Sequence, residues 1–367
     1  MQIQLDSQPY ASMQTDALVT YVFDGDNKLD GILADIDRSM MGGLATLVAS
    51  GEITGKPLEL ALVHFPDGME AKRLLLVGAG KRAKFEVGDL RKIAGTALRH
   101  LKARGVKNFA FLTRESERTP AAAQAITEGL LVADFESDKY RSEKKNNKEI
   151  QSVSLAGFES GPVSDLNAAI ERGRVIAESQ NFARDLINEP SNRLTPRMLA
   201  ARAEAMAKEV GLGVEILDDR KITELKMGAL LGVAQGSVEP PRVIVLRYEP
   251  QNPRPGGPIL GLVGKAVTFD TGGISIKPAD NMEKMKYDMG GGATMLGAMR
   301  ALAFLKPSVS VIAVIPATEN MPGGRAQKPG DVQVAMSGKT IEVINTDAEG
   351  RMVLADGLTY AKKLGVT

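Results

Sequence analysis

The chain has no cysteine in its 367 residues. This absence excludes disulfide bonds, thiolate nucleophiles and every zinc site built on cysteine. Histidine is scarce too, since His64 and His100 are the only two and lie far apart in sequence. His64 falls in the apolar run LELALVHFP and His100 at the end of a helical pattern, so we interpret both as structural or surface residues. A metal or hydrolytic centre must therefore consist mainly of carboxylates, lysine, arginine and backbone groups.

An excess of one charge and long apolar runs are also absent. The 46 lysines and arginines nearly balance the 45 aspartates and glutamates, so net charge gives no electrostatic case for binding nucleic acid or an anionic membrane. The first segment, MQIQLDSQPYASMQTDALVT, lacks the basic and apolar regions of a secretory signal, and no later run is long enough to span a bilayer. We therefore expect a cytoplasmic protein without a membrane partner.

Strand-like and helix-like segments alternate along the whole chain. DALVTYVF, RLLLVGAG and KNFAFLT are examples of the strands, and helical patterns separate them. This alternation predicts α/β layers with parallel or mixed sheets, and the length favours two domains. We predict an N-terminal mixed-sheet α/β domain over residues 1–160, with an assembly or regulatory role, and a second α/β domain over residues 161–367.

Four further features bear on the domain organisation. The charged stretch 136–150 is predicted to be a solvated loop, and a long helix over residues 165–186 is predicted to connect the domains. Thr195 and Pro196 suit the N-cap and first turn of the next helix. At the end of the chain, Gly365 is placed to cap the last helix and VT begins a returning strand. The second domain is therefore expected to be incomplete at its C-terminus.

Acidic and basic side chains cluster where strands of the second domain end or its helices begin. Ligands bind in this position in open α/β sheets. Within VINTDAEGRMVL, the two acids lie two positions apart, so in an extended segment they would point to the same side. The set contains four acids and three bases: Asp270, Asp288, Asp347, Glu349, Lys265, Lys277 and Arg351.

Each of these residues has a simpler interpretation when taken alone. The acids could cap helices, and the basic residues could be solvated. Together, four carboxylates would repel one another and raise one another's pKa, whereas two divalent ions would neutralise them. Oxygen ligands suit Mg²⁺ or Mn²⁺, and Zn²⁺ also accepts carboxylates. A lysine could join such a site only as the neutral amine.

Several motifs resemble the signatures of the leucyl aminopeptidase (cytosol aminopeptidase, M17) family. They are GKAVTFDTGGISIKP, YDMGGGATM, NTDAEGRMVLADGL, ENMPGGRAQKPGDVQVAMSGKTIEV and NEPSNRLTP, of which NTDAEGR is highly specific. The resemblance covers most of residues 165–367. It implies that Lys277 is the catalytic lysine and that Arg351 holds a bicarbonate ion acting as general base. It also implies five metal ligands, with Asp270 and Glu349 shared by two ions: Lys265, Asp270, Asp288, Asp347 and Glu349.

The resemblance implies hydrolysis of the N-terminal residue from peptides with a free N-terminus. The expected cofactors are two divalent metal ions, Mn²⁺ or Zn²⁺ with Mg²⁺ as a third option, and the expected assembly is a homo-oligomer, a hexamer. In the family the catalytic domain continues beyond the last helix of this chain, so we expect a C-terminally truncated member. The alternative is a catalytically impaired member that acts as a metal-binding, assembly or DNA-binding protein.

Three competing functions rest on weaker signals. Paired metals also serve phosphoryl transfer, but the chain has no G-x-x-x-x-G-K-[ST] loop. LLLVGAGKRA places Gly78, Gly80 and Ala83 after a strand, as dinucleotide-binding loops do, but the helix starts late and a tight turn is the simpler interpretation. SEKKNNK could contribute to a local DNA-binding patch, although the net charge does not support one.

Overall fold

The computed structural model describes residues 1–25, 29–143, 148–158, 162–253 and 255–367. These residues form two compact units, Met1–Glu178 and Ser179–Thr367. The predicted division between residues 160 and 161 lies outside the described residues, as does part of the predicted loop 136–150, so both remain predictions. Among the described residues, no helix is both long and apolar enough to cross a membrane.

The first unit contains a mixed sheet, which confirms the predicted α/β class. Its strands are β1 (Gln2–Asp6), β2 (Ala17–Val22), β3 (Leu60–His64), β4 (Arg73–Gly78), β5 (Asn108–Leu112) and β6 (Ser152–Ala156). The sheet order is β1-β6-β5-β2-β4-β3, and all neighbours run parallel except β3 and β4. The strand β1, QIQLD, was not predicted, although its polar and apolar residues alternate as in a half-buried strand, and it pairs with β6.

Helices cover both faces of this sheet. They are α1 (Gly31–Ser39), α2 (Gly43–Ala49), α3 (Asp89–Ala103), α4 (Pro120–Asp134) and the first part of α5 (Val163–Asn188). One hydrophobic core joins the sheet to α3, α4 and α5, and a second joins it to α1 and α2. All six residues of β2 are buried for this reason. The predicted connector helix is α5, and the two units divide within it.

The second unit has a sheet centred on β11. Its strands are β7 (Gly213–Leu217), β8 (Arg242–Tyr248), β9 (Ile259–Val263), β10 (Ala266–Asp270) and β11 (Ser310–Asn320), with a separate hairpin of β12 (Val332–Val334) and β13 (Thr340–Glu342). β8 lies antiparallel on one side of β11, while β9 and then β10 lie parallel along its other side. The strand predicted to end at Gly264 is followed by a second strand, β10, whose residues Ala266 and Val267 are buried.

The helices of this unit also lie on both faces of its sheet. They are α6 (Pro196–Val210), α7 (Asp219–Glu224), α8 (Gly228–Ala234), α9 (Gly290–Leu305) and α10 (Glu349–Lys363). α6 and α9 share one core, and α8 and α10 share the other. Thr195 and Pro196 occupy the predicted N-cap and first turn of α6, but Thr195 Oγ1 makes no hydrogen bond to any described residue. At the end of α10, Gly365 has a φ of 94°, and the Thr367 N–H donates to Ile259 O at 3.2 Å.

Candidate metal centre

β10 and its flanking segments carry three of the predicted residues. Lys265 lies between β9 and β10, Asp270 is the last residue of β10, and Lys277 follows in the next loop. Asp270 lies opposite Asn320, the last residue of β11. The carboxyl ends of two parallel strands therefore present Asp270 where open α/β sheets bind ligands.

Asp288 approaches from the start of α9. It lies in the 3-10 helix Met282–Met289, directly before α9 begins. α9 packs so closely on β10 that a Cβ atom on Gly292 would lie 2.7 Å from the Ala266 Cβ. The Gly292 N–H donates to Lys265 O at 2.7 Å. Glycine at this position allows the contact that brings Asp288 within reach of Lys265.

Asp347 and Glu349 come from a turn, and the expectation of an extended segment was wrong. Thr346–Ala348 forms a 3-10 turn, and Glu349 is the first residue of α10. Asn345 stabilises the turn because its Oδ1 accepts the Asp347 N–H at 2.8 Å. Asn345, and neither acid, therefore provides the side-chain cap, so the simpler interpretation of both acids as helix caps does not apply.

Two lysines pair with the four acids. The Lys265 Nζ lies 2.8 Å from Asp288 Oδ1 and 2.7 Å from Glu349 Oε1. The Lys277 Nζ lies 2.8 Å from Asp270 Oδ2 and also forms an ion pair with Asp347. Lysines and acids that are up to 84 positions apart in sequence thus converge on one place.

The acids are mutually close and mostly shielded from solvent. Oxygen atoms of Asp270, Asp347 and Glu349 lie within 4.8 Å of one another. The side chains of Asp270 and Glu349 are 4% and 1% exposed, so water does little to screen their repulsion. The Asp288 Oδ2 is buried and receives no well-directed hydrogen bond from any described residue, although Lys265 Nζ lies 2.8 Å away. Lys265 links this under-coordinated carboxylate to Glu349 in the group of three acids, and together these oxygens form a donor set that fits divalent cations.

The pKa shifts follow from this crowding. Burial, with additional repulsion from Asp270 and Glu349, raises the pKa of Asp288 to about 6, although Lys265 opposes the shift. Burial tends to lower the pKa of Lys265, but its hydrogen bonds and charge interactions with Asp288 and Glu349 outweigh burial and raise it. The pKa of Lys277 is raised in the same way against burial, by Asp270 and Asp347. Both lysines are therefore stabilised as cations by the acids around them.

Arg351 lies apart from this network. It occupies the first turn of α10, two residues after Glu349, and its side chain is exposed. Within the described part of the chain it makes no hydrogen bond or ion pair, so its guanidinium is available to a ligand. The two histidines lie in the other unit, His64 at the end of β3 and His100 on α3.

Asn320 and Thr346 also contact the candidate centre, although neither is among the residues predicted from the sequence. Asn320 is 2% exposed and its Nδ2 donates to Asp270 Oδ1 at 2.8 Å. Thr346 is 1% exposed, and its Oγ1 donates to Gly272 O at 2.6 Å and accepts the Ser275 N–H at 2.8 Å. Their positions inside the motifs ENMPGG and NTDAEGR were the only available signal, because neither side chain carries charge.

The competing glycine loop has a structural explanation. Gly78 ends β4, and a Cβ atom there would lie 1.8 Å from Lys56 O, so the residue permits close packing of two backbone segments. Gly80 has a φ of 76°, and α3 begins only at Asp89. A dinucleotide-binding loop leads directly from its strand into a helix N-terminus. This loop does not, because eight residues, 81–88, separate Gly80 from α3.

Comparisons with known proteins cover both units. Residues 181–367 match the catalytic domain of the cytosol aminopeptidase family, and residues 19–144 match the N-terminal domain of the same family. A "Probable cytosol aminopeptidase" of Koribacter versatilis (strain Ellin345) is 52% identical over 387 residues, which cover 100% of this chain and 75% of the relative. A protein of the same name from Solibacter usitatus (strain Ellin6076) is 51% identical and is covered over 73% of its length.

Solved structures show the same similarity. A mutant of tomato leucine aminopeptidase matches 100% of this chain and 72% of its own, with a TM-score of 0.88 and 32% identity. The bottromycin maturation enzyme BotP in complex with Mn matches 94% of this chain and 69% of its own, with a TM-score of 0.78 and 30% identity.

Proposed function

Since the chain belongs to the cytosol aminopeptidase family, we propose that it removes the N-terminal residue of peptides by hydrolysis at a dinuclear metal centre. The observation that carries the proposal is the convergence of four carboxylates and two lysines at the ends of β10 and β11. The substrate class follows from the family, and the metal centre is inferred from the chemistry of the side chains.

The donor set suits two cations. Asp270 and Glu349, the two most buried of these four acids, would be shared between the ions, and Asp288, Asp347 and Lys265 would complete the ligands. Lys265 can bind a cation only after it loses its proton, although the neighbouring carboxylates raise its pKa and so favour the protonated form. Cation binding should therefore release a proton from Lys265. Bound divalent cations supply Lewis acidity and a water nucleophile of lowered pKa. Mn²⁺ or Zn²⁺ are the proposed ions, with Mg²⁺ as the third option, and a solved relative described in complex with Mn supports the first.

Two basic residues are proposed to act on the substrate. Lys277 is 21% exposed and borders the acids, so its ammonium can donate to the scissile carbonyl oxygen as negative charge develops there. In other enzymes, removal of one such donor lowers kcat by about 10²- to 10³-fold. Arg351 has an exposed guanidinium that pairs with none of the described residues, and it is proposed to hold bicarbonate, which would supply a general base. A homo-hexamer is the proposed assembly, which light scattering can test.

Metal binding and turnover can be tested together. The protein would be treated with EDTA, reloaded separately with Mn²⁺, Zn²⁺ or Mg²⁺, and assayed with leucine p-nitroanilide and with p-nitrophenyl phosphate. Glu349→Gln removes a charge from a buried acid of the centre, whereas Glu342→Gln removes one from an exposed position on β13 and serves as the matched control. We expect E349Q to lose cation binding and anilide hydrolysis, and E342Q to retain both.

Three results would contradict parts of the proposal. If elemental analysis detected no bound divalent cation in the wild-type protein, the metal centre would be wrong. If the phosphate ester were hydrolysed in preference to the anilide and E349Q abolished that reaction, phosphoryl transfer would replace peptide hydrolysis. If cations bound without hydrolysis of either substrate, the catalytically impaired alternative would hold.

A further inference from the structure

Asn320 connects three of the segments that form the centre. It ends β11 and lies opposite Asp270 in the parallel pairing with β10. Its Nδ2 lies 2.8 Å from Asp270 Oδ1, 3.1 Å from Thr346 O and 3.5 Å from Glu349 Oε2. One buried carboxamide therefore contacts β10, the 3-10 turn and the start of α10.

The orientation of this carboxamide is determined by its surroundings. All three neighbours of Nδ2 are oxygen atoms that can only accept hydrogen bonds when the acids are ionised. A flipped amide would place Oδ1 against these three oxygens, and no donor would remain between them. On the opposite side, Oδ1 packs against Gly273, where an added Cβ atom would lie only 2.8 Å away.

Asp270 shows what this contact achieves. Its Oδ1 accepts two neutral donors, Asn320 Nδ2 at 2.8 Å and the Gly272 N–H at 2.9 Å. Its Oδ2 instead faces Lys277 Nζ at 2.8 Å, on the side where the charged groups converge. The amide donors thus fix the rotation of the carboxylate so that one oxygen is held by the protein and the other points into the centre.

We propose that Asn320 is a positioning residue that orients the Asp270 carboxylate for cation binding. The inference rests on the proposed function, in which Asp270 is shared between the metal ions. A neutral donor suits this place, because an acid would add a further negative charge to the cluster and a lysine would compete with the cations for the same oxygens. Asparagine orients this ligand without changing the charge of the site.

The main chain of Asn320 performs a separate task, which allows its side chain to be tested alone. Asn320 O accepts the Thr271 N–H at 3.0 Å and the Thr271 Oγ1–H at 2.8 Å. These bonds attach the loop after β10 to β11 and do not depend on the residue type at position 320. Side-chain substitutions should therefore leave the loop attached.

The test compares Asn320→Leu and Asn320→Ser, which remove the amide donor without adding charge, with Glu319→Gln. Glu319, the neighbouring residue on β11, points to the other face of the sheet and accepts a hydrogen bond from Ser237, so it is a matched control. Mn²⁺ affinity would be measured by titration calorimetry on EDTA-treated protein, and electron paramagnetic resonance would report whether two bound Mn²⁺ ions are spin-coupled. We expect about 10- to 100-fold weaker binding and a loss of coupling in both Asn320 variants, with E319Q unchanged.

Each other outcome has a definite meaning. Mn²⁺ affinities within about threefold of wild type, with coupling retained in both Asn320 variants, would overturn the positioning role while leaving the proposed function intact. If both variants failed to fold without cations, by circular dichroism, Asn320 would be a structural residue and the inference would be wrong. If the wild-type protein itself bound no Mn²⁺, the proposed function would fail first.

Discussion

Replacement of Asp356 by asparagine should destabilise the second unit without replacing any residue of the candidate metal centre. Asp356 lies on α10, two turns after Glu349, and is 0% exposed. Its Oδ2 accepts the Leu230 N–H at 2.9 Å, and its Oδ1 accepts the Met336 N–H at 2.7 Å. Leu230 lies in the first turn of α8, where N–H groups have no partner within the helix. One carboxylate therefore joins α10 to α8 and to the loop between β12 and β13.

The magnitude follows from these two bonds. An asparagine can accept only one of the N–H groups and presents its own NH₂ to the other. The variant thus loses one hydrogen bond to a charged group and leaves a buried donor unpaired, at a cost of about 1.5 to 3 kcal/mol. Asp356→Ala loses both bonds, so about 3 to 6 kcal/mol is expected. Thr359→Ala on the same helix removes only a local bond to Ala355 O and should change stability by less than about 0.5 kcal/mol.

The assay is urea unfolding of EDTA-treated protein, followed by far-UV circular dichroism at several pH values. Burial raises the pKa of Asp356 above its ordinary value of 3.8, despite the backbone hydrogen bonds that oppose the shift. The folded protein therefore binds this proton more tightly than the unfolded chain does, so the contribution of Asp356 to stability falls as pH rises from 3.8 through the raised pKa. D356N lacks the titration, so the stability difference between wild type and D356N should shrink over that window and then stay constant.

Two results would refute this reasoning. One is a D356N protein whose free energy of unfolding lies within about 0.5 kcal/mol of wild type, which would mean that the two N–H groups find other partners. The other is a stability difference that grows with rising pH, which would mean that burial does not raise the pKa of Asp356.

Three further predictions concern other parts of the protein. Gly55→Ala should lower the melting temperature more than Gly51→Ala. The angle φ is positive at both positions, but only a Cβ atom at Gly55 would clash, since it would lie 2.3 Å from Phe23 O. The positive φ alone should make G51A less stable by about 1 to 2 kcal/mol. Burial, together with the nearby charge of Arg104, lowers the pKa of His100 below 6.5. The contribution of His100 to stability should therefore fall as pH drops from 6.5 through the lowered pKa. Over that range the urea midpoint of His100→Gln should decrease less than the wild-type midpoint. Mn²⁺ at about 100 times its Kd should stabilise wild type by about 2.7 kcal/mol in thermal unfolding, and equal stabilisation of E349Q would argue against binding at the proposed centre.

Local pattern was sufficient for most elements. Buried runs such as LVTYV and VIVLR predict strands wherever they occur, because a strand covered on both faces needs apolar side chains at consecutive positions. β1 and β10 were not predicted, although QIQLD alternates polar and apolar residues, and the structure shows both as strands paired with β6 and β11. The turn at Asp347 was also misjudged, because the Asn345 side chain replaces an extended backbone with a 3-10 turn.

The sequence by itself determined the charged residues of the candidate site, because the absence of cysteine and the scarcity of histidine leave few other ligands, and because the matched motifs keep their order and spacing. Only the tertiary structure decided which groups meet. Asp270 contacts Asn320 across 50 positions, and Asp356 contacts Leu230 across 126. Such pairs depend on strand register and on how helices pack over the sheet, and neither quantity is encoded in any short stretch of chain. Periodicity records whether a side chain is buried, whereas the identity of its hydrogen-bond partner is established only when distant segments are packed together.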